Sequence, residues 1–160
     1  MNLNIKKCTA IVITIAYLFL PNISVAKANV DGIYCKNDDG IKSELAIRRG
    51  ARNSLFFGIN RWFPNGSNVG LYGKAMRVGR GTTYIFRDTG DRQTGEVCEI
   101  VIHISMKAAS IKEGRGTSCK SYAGLGAFIG EIAFSQKLRH GDVSGVLKNE
   151  EGFFNDGTCF

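Results

Sequence analysis

Glu96-Val97-Cys98-Glu99-Ile100-Val101-Ile102-His103-Ile104-Ser105-Met106 decides the fold class. Cys98, Ile100, Ile102 and Ile104 fall on one face of an extended chain, and Val97, Glu99, Val101, His103 and Ser105 fall on the other. A period of two in β-branched residues marks a strand with one buried face. The same period runs outward in both directions. Upstream, Gly32-Ile33-Tyr34-Cys35 opens a strand, Leu45 and Ile47 alternate with Ala46 and Arg48, and Leu55, Phe57 and Ile59 alternate next. Val69, Leu71, Gly73 and Ala75 then share a face, and residues 83–86 form another short run. Downstream, residues 109–112 pair back, and residues 127–134 make a late strand with Gly130 in its middle. The punctuation is turn chemistry: Asn37-Asp38-Asp39-Gly40, Pro64-Asn65-Gly66, Gly79-Arg80-Gly81, Asp88-Thr89-Gly90-Asp91 and Gly114-Arg115-Gly116.

About eight short strands separated by glycine turns predict an all-β protein, a small antiparallel meander β-barrel. Gly58, Gly70, Gly73 and Gly130 sit inside the apolar runs, where a small closed sheet needs bends. A sandwich is the competing all-β arrangement. The barrel domain is expected over residues 29–136 and a C-terminal tail over 137–160. Residues 131–138 are the only stretch with the makings of a short helix. The final Phe160 suits an outer-membrane barrel, but Glu99 and His103 on the outward face oppose lipid exposure.

The first 28 residues read as a cleaved signal peptide. Lys6-Lys7 precedes an apolar run from Cys8 to Leu20, and Ala26-Lys27-Ala28 supplies small residues at a cleavage site. The run is too short to span a bilayer, so no transmembrane segment is expected after cleavage. The expected location is the periplasm or the exterior. The 160-residue chain carries 21 Lys and Arg against 14 Asp and Glu. Three of those cations lie in the leader, so residues 29–160 hold 18 cations and 14 acids, a mild +4. That charge does not define a nucleic-acid-binding protein, and the length excludes a large catalytic domain. Beyond the leader remain Cys35, Cys98, Cys119 and Cys159, an even number in an exported chain. Four cysteines allow three pairings. The expected one is Cys98–Cys119 within one antiparallel pair, with Cys35–Cys159 tying the tail to the first strand. Spacings of 63, 21 and 40 with no C-x-x-C argue against zinc.

Few residues offer chemistry. His103 shares a face with Glu99, which suits either an acid/base pair in an envelope enzyme or a solvated pair outside the barrel. No G-x-S-x-G is present, and paired cysteines leave no thiol nucleophile. Gly124-Leu125-Gly126-Ala127-Phe128-Ile129-Gly130 lacks the Lys-Ser/Thr ending of a phosphate loop and reads as a turn entering a bent strand. No catalytic residue, cofactor or metal site is assigned. Two surface features remain. Arg61-Trp62-Phe63 places the only Trp at a strand-to-loop tip, either a binding anchor or a plug of one barrel end. Arg77 and Arg80 belong to a basic set with Lys74, Arg87 and Arg92, joined by Arg48, Arg49 and Arg52 at another turn. These cations suit an acidic protein, an anionic polymer or phosphate. Arg61, Trp62, Phe63, Arg77 and Arg80 are therefore the candidate binding residues. An open interior would instead suit a carrier of a small apolar ligand in a lipocalin-like barrel.

The order of landmarks adds a resemblance. Gly32-Ile33-Tyr34, Leu45-Ala46-Ile47, Asn68-Val69-Gly70-Leu71-Tyr72-Gly73, Cys98-Glu99-Ile100, Cys119 and a glycine-rich segment over 124–134 follow one another in that order. This outline, over residues 31–135, resembles small periplasmic β-barrel proteins of the lysozyme-inhibitor type. The resemblance implies a non-enzymatic binding protein, an inhibitor or immunity factor whose protein partner is a peptidoglycan-cleaving enzyme. The Ser and Lys inhibitory loop of the better-defined inhibitors is missing, so no inhibitory residue carries over. A basic domain is a poor electrostatic match for a basic animal lysozyme. The expected target is another wall-cleaving enzyme, such as a rival's toxin.

Overall fold

The computed structural model describes residues 30–88, 96–105, 108–135, 139–140 and 159. The expectations for residues 1–28, for Arg92 and for most of the tail lie outside the described residues.

The chain forms a single antiparallel sheet that curls into a nearly closed barrel. Its strands are β1 (Gly32–Asp38), β2 (Ile41–Arg49), β3 (Ser54–Trp62), β4 (Asn68–Arg77), β5 (Thr83–Asp88), β6 (Cys98–Ile104), β7 (Ala108–Glu113), β8 (Glu131–Ser135) and a two-residue β9 (Arg139–His140). From β1 to β8 each strand pairs with the next, and β9 pairs with β1. Local turn chemistry sets the register. Asp39 and Gly40 both have positive φ (49° and 82°) between the paired Asp38 and Ile41. That is the geometry a two-residue hairpin needs to match strand twist.

Closure comes from one short stretch of chain. β8 pairs with β7, and a few residues later β9 pairs with Ile33 and Tyr34 of β1. The last strand therefore spans the seam in two pieces. Inside it, Tyr34 and Phe134 meet edge-to-face with ring centroids 6.4 Å apart. β9 carries the sheet past residue 136. The expected helix over 131–138 is corrected: residues 131–135 are strand, with Ile132 and Phe134 buried and Glu131, Ala133 and Ser135 exposed. That alternation is a strand period, and the barrel's open edge supplies its partner. The late strand also begins at Glu131 instead of 127, because Gly130 stands at φ 65° and breaks the extended run.

The inward positions fill the barrel. Tyr34, Leu45, Phe57, Ile100, Ile102 and Phe134 are buried in one cluster that spans the strands. Gly73 belongs to this packing. The Phe86 ring lies where a Gly73 side chain would be, and it meets Phe57 edge-on at 5.4 Å. Here β4, paired with β3 from Asn68 to Met76, pairs with β5 only at Met76–Ile85 and Arg77–Tyr84.

Among the described residues, an apolar cluster is buried on the outer face. Ile33, Cys35 and Ala46 pack with Phe56 and Cys159 across β1–β3. The Cys35–Cys159 disulfide brings the chain end onto this face. The second disulfide joins Cys98 and Cys119 with Cα atoms 4.6 Å apart. Both pairings are the expected ones, with one correction. Cys119 lies in the loop after β7, at the start of a single 3-10 turn (Lys120–Tyr122), and not in a strand paired with Cys98.

Candidate functional site

In an up-and-down meander alternate turns emerge at opposite ends. Trp62 pairs with Asn68 at one end of β4, and Ser54 with Met76 at the other. The eight-residue step between Asn68 and Met76 spans roughly 26 Å at strand rise. Arg61, Trp62 and Phe63 thus stand at one end of the barrel, and Arg77 and Arg80 at the other. The structure does not unite the five sequence candidates in one site.

The first end is aromatic. On β3 the inward positions are Leu55, Phe57, Ile59 and then Arg61, so Arg61 closes the interior and is 8% exposed. Its guanidinium donates to Ser43 Oγ at 3.2 Å, to the Phe128 carbonyl at 3.2 Å and to the Ile129 carbonyl. It also lies over the rings of Phe63 (5.1 Å) and Phe128 (5.3 Å). Burial pushes its pKa down, and the carboxylate of Asp38 partly opposes that shift. Arg61 is therefore an internal latch and not a surface anchor. Trp62, on the opposite parity, points outward and is half-buried.

The latch holds the loop between β7 and β8. Gly124 N donates to Asn68 O at 2.8 Å, Val69 bridges to Ala123, and Ala127 N closes a turn onto Gly124 O at 2.9 Å. Leu125 and Gly126 are the corners of that turn, with Gly126 at φ 77°, as a type II turn requires. Leu125 is 97% exposed and Phe128 55%. The rings of Phe63 and Phe128 meet at a tilt of 45°, with centroids 5.3 Å apart. At the foot of the same loop, Tyr122 donates a short hydrogen bond to Asp88, and burial followed by that bond pushes its pKa up to about 12. Sequence reasoning missed Leu125 and Phe128. The Gly-Leu-Gly turn was the available signal for the first.

The second end is basic. The β2–β3 and β4–β5 turns meet there, with Arg77 N donating to Asn53 O at 3.0 Å. Arg48, Phe56 and Lys74 stand side by side on adjacent strands. Both cations lie over the Phe56 ring, at 5.0 and 5.5 Å. Arg77 braces the β4–β5 turn through the carbonyls of Gly81 (2.6 Å) and Arg80 (2.7 Å), which leaves Arg80 projecting outward.

His103 and Glu99 do not meet. They lie four residues apart on the outer face of β6, roughly 13 Å along the strand. Glu99 pairs instead with Arg87 across the sheet at 2.5 Å, and His103 Nδ1 faces Thr83 Oγ1 at 3.3 Å. Among the described residues no group of three His, Cys, Asp or Glu side chains is placed to hold a metal, and no helix is long and apolar enough to cross a membrane. Comparison with known proteins returns no match: no family model, no curated protein and no solved structure is significantly similar to the chain.

Proposed function

We propose that this is an exported, non-enzymatic binding protein that grips a protein partner with its aromatic end. The partner we propose is a cell-wall-cleaving enzyme, which makes the protein an inhibitor or immunity factor. The observation that carries the binding role is Leu125, almost fully exposed on a turn pinned to β4 and latched by Arg61, with Phe128 and Phe63 beside it. Apolar side chains on a preorganised loop bind without the cost of ordering the backbone, and taking an exposed Leu or Phe out of water contributes about 1.5–3 kcal/mol. A small-ligand carrier needs interior space, and the barrel's inward positions are occupied by Tyr34, Phe57 and Phe134, which favours action by the outer surface. The enzyme class of the partner rests on the landmark resemblance, and the two disulfides accord with export.

Affinity capture from envelope extract tests the reading, with L125D/F128S as the paired bait. A wall-cleaving enzyme enriched by the wild type, inhibited by it in vitro and bound at least thirtyfold more weakly by the variant supports it. Absence of any such enzyme, or equal capture by the variant, overturns it.

A further inference from the structure

The basic end concentrates the charge of the barrel. Among described side chains, Arg48, Arg49, Arg52, Lys74, Arg77 and Arg80 gather there against Asp31 alone. Everywhere else seven cations face eight acids. The whole net charge of the described barrel therefore sits at one end. Asp31 is engaged by Arg49, through its backbone N at 3.1 Å and its guanidinium at 3.6 Å.

Two further features separate this end from a solvated hairpin face. Met76 and Val78, each 50% exposed, stand among the cations. The β4–β5 turn that presents Val78 and Arg80 is fixed by the Arg77 side chain and by Val78 N donating to Thr83 O at 2.9 Å. The cations spread over two strands and two turns and do not converge on a point. A single phosphate matches that layout poorly. A broad anionic surface matches it well, and the apolar side chains between the charges fit the boundary between headgroups and acyl chains.

We infer that the basic end docks on an anionic membrane surface, with Arg48, Arg52, Lys74 and Arg80 against headgroup phosphates and Met76 and Val78 at the acyl boundary. The aromatic end then faces away from the bilayer, so a surface-bound molecule keeps its protein-binding end free.

The test is sedimentation with vesicles, using protein recovered from an exporting host in the N-terminal form in which it leaves the cell. Vesicles of phosphatidylcholine alone are compared with vesicles containing about 30% phosphatidylglycerol. The expected result is binding to the anionic vesicles only, weakened by salt. R52Q/R80Q should lower the partition coefficient about fivefold per cation removed, roughly twenty-five-fold in all. K112Q/R115Q, which removes the same charge from elsewhere on the barrel, should change it less than threefold. M76S/V78S should also weaken binding while leaving the charge intact. Equal binding to both vesicle types overturns the inference, as does equal loss from the two charge variants. So does binding to soluble polyglutamate without binding to vesicles, which would point to an acidic protein. Enzyme capture by the aromatic end is read in a separate assay, and either result can fail without the other.

Discussion

Replacing Arg61 with Met tests how the aromatic end is built. Met keeps the apolar stem and most of the volume and removes three donated hydrogen bonds, to Ser43 Oγ and to the carbonyls of Phe128 and Ile129. A hydrogen bond from a charged donor contributes about 1.5–3 kcal/mol. The buried Ile129 carbonyl loses its partner, and the two ring contacts add about 0.5–2 kcal/mol. Against this stands relief of the desolvation that already pushes the Arg61 pKa down, an effect of several kcal/mol for a buried ion. The net expectation is a loss of about 2–4 kcal/mol, a fall in Tm on the order of 10 °C. Urea unfolding with disulfides intact gives the global figure. Hydrogen exchange at Gly124 and Ala127 reads the loop, whose amides bond to Asn68 O and Gly124 O and should lose protection before the strands do. R61M unfolding within about 0.5 kcal/mol of wild type, with the loop still protected, would show that the guanidinium is a passenger and that other contacts hold the loop.

Three other outcomes follow from the packing. G73V forces the Phe86 ring out of its place against Phe57, and calorimetry should show a loss of about 1–3 kcal/mol; unchanged stability would mean that the β4–β5 corner has slack. Loop size ranks the disulfides at about 3 kcal/mol for C98A/C119A and about 5 kcal/mol for C35A/C159A, and only the second should uncover Ile33, Ala46 and Phe56 and raise binding of a hydrophobic dye. Tyr122 is held neutral by burial and Asp88, so its stabilising effect is complete below the ordinary tyrosine pKa of about 10 and is lost as pH rises toward about 12; ultraviolet titration should show a late tyrosine signal that is smaller by one residue in Y122F.

Much of the sheet is legible because a strand's face is set by parity. Leu45, Phe57, Leu71 and Ile102 all lie inward as their alternation requires, and the turn residues mark where each strand stops. The same parity places Arg61 inside, in phase with Leu55, Phe57 and Ile59, although its charge and its neighbour Trp62 suggest a surface role. The loop before β8 escapes the pattern for a specific reason. Counting back by twos from Phe134 through Ile132 and Gly130 puts Phe128 in the core. Gly130 at φ 65° resets the phase, so that Ile129 is buried and Phe128 exposed. Nothing in the apolar pattern marks which glycine bends the chain that way. The separation of the site candidates likewise depends on which turns share a barrel end, a property of topology and not of spacing.

That topology separates the two ends by composition. The aromatic side chains come from the β3–β4 and β7–β8 connections, and most of the clustered cations from the β2–β3 and β4–β5 turns and the strand ends beside them. Between the ends lies a packed interior whose side chains have little room to shift. A hollow barrel could couple its ends through a ligand or a moving plug. A filled one acts as a spacer roughly 26 Å long, and contact at one end leaves the geometry of the other intact. A small packed barrel can in this way present two unlike surfaces, one apolar and fixed by an internal arginine, the other cationic and fixed by an arginine-braced turn.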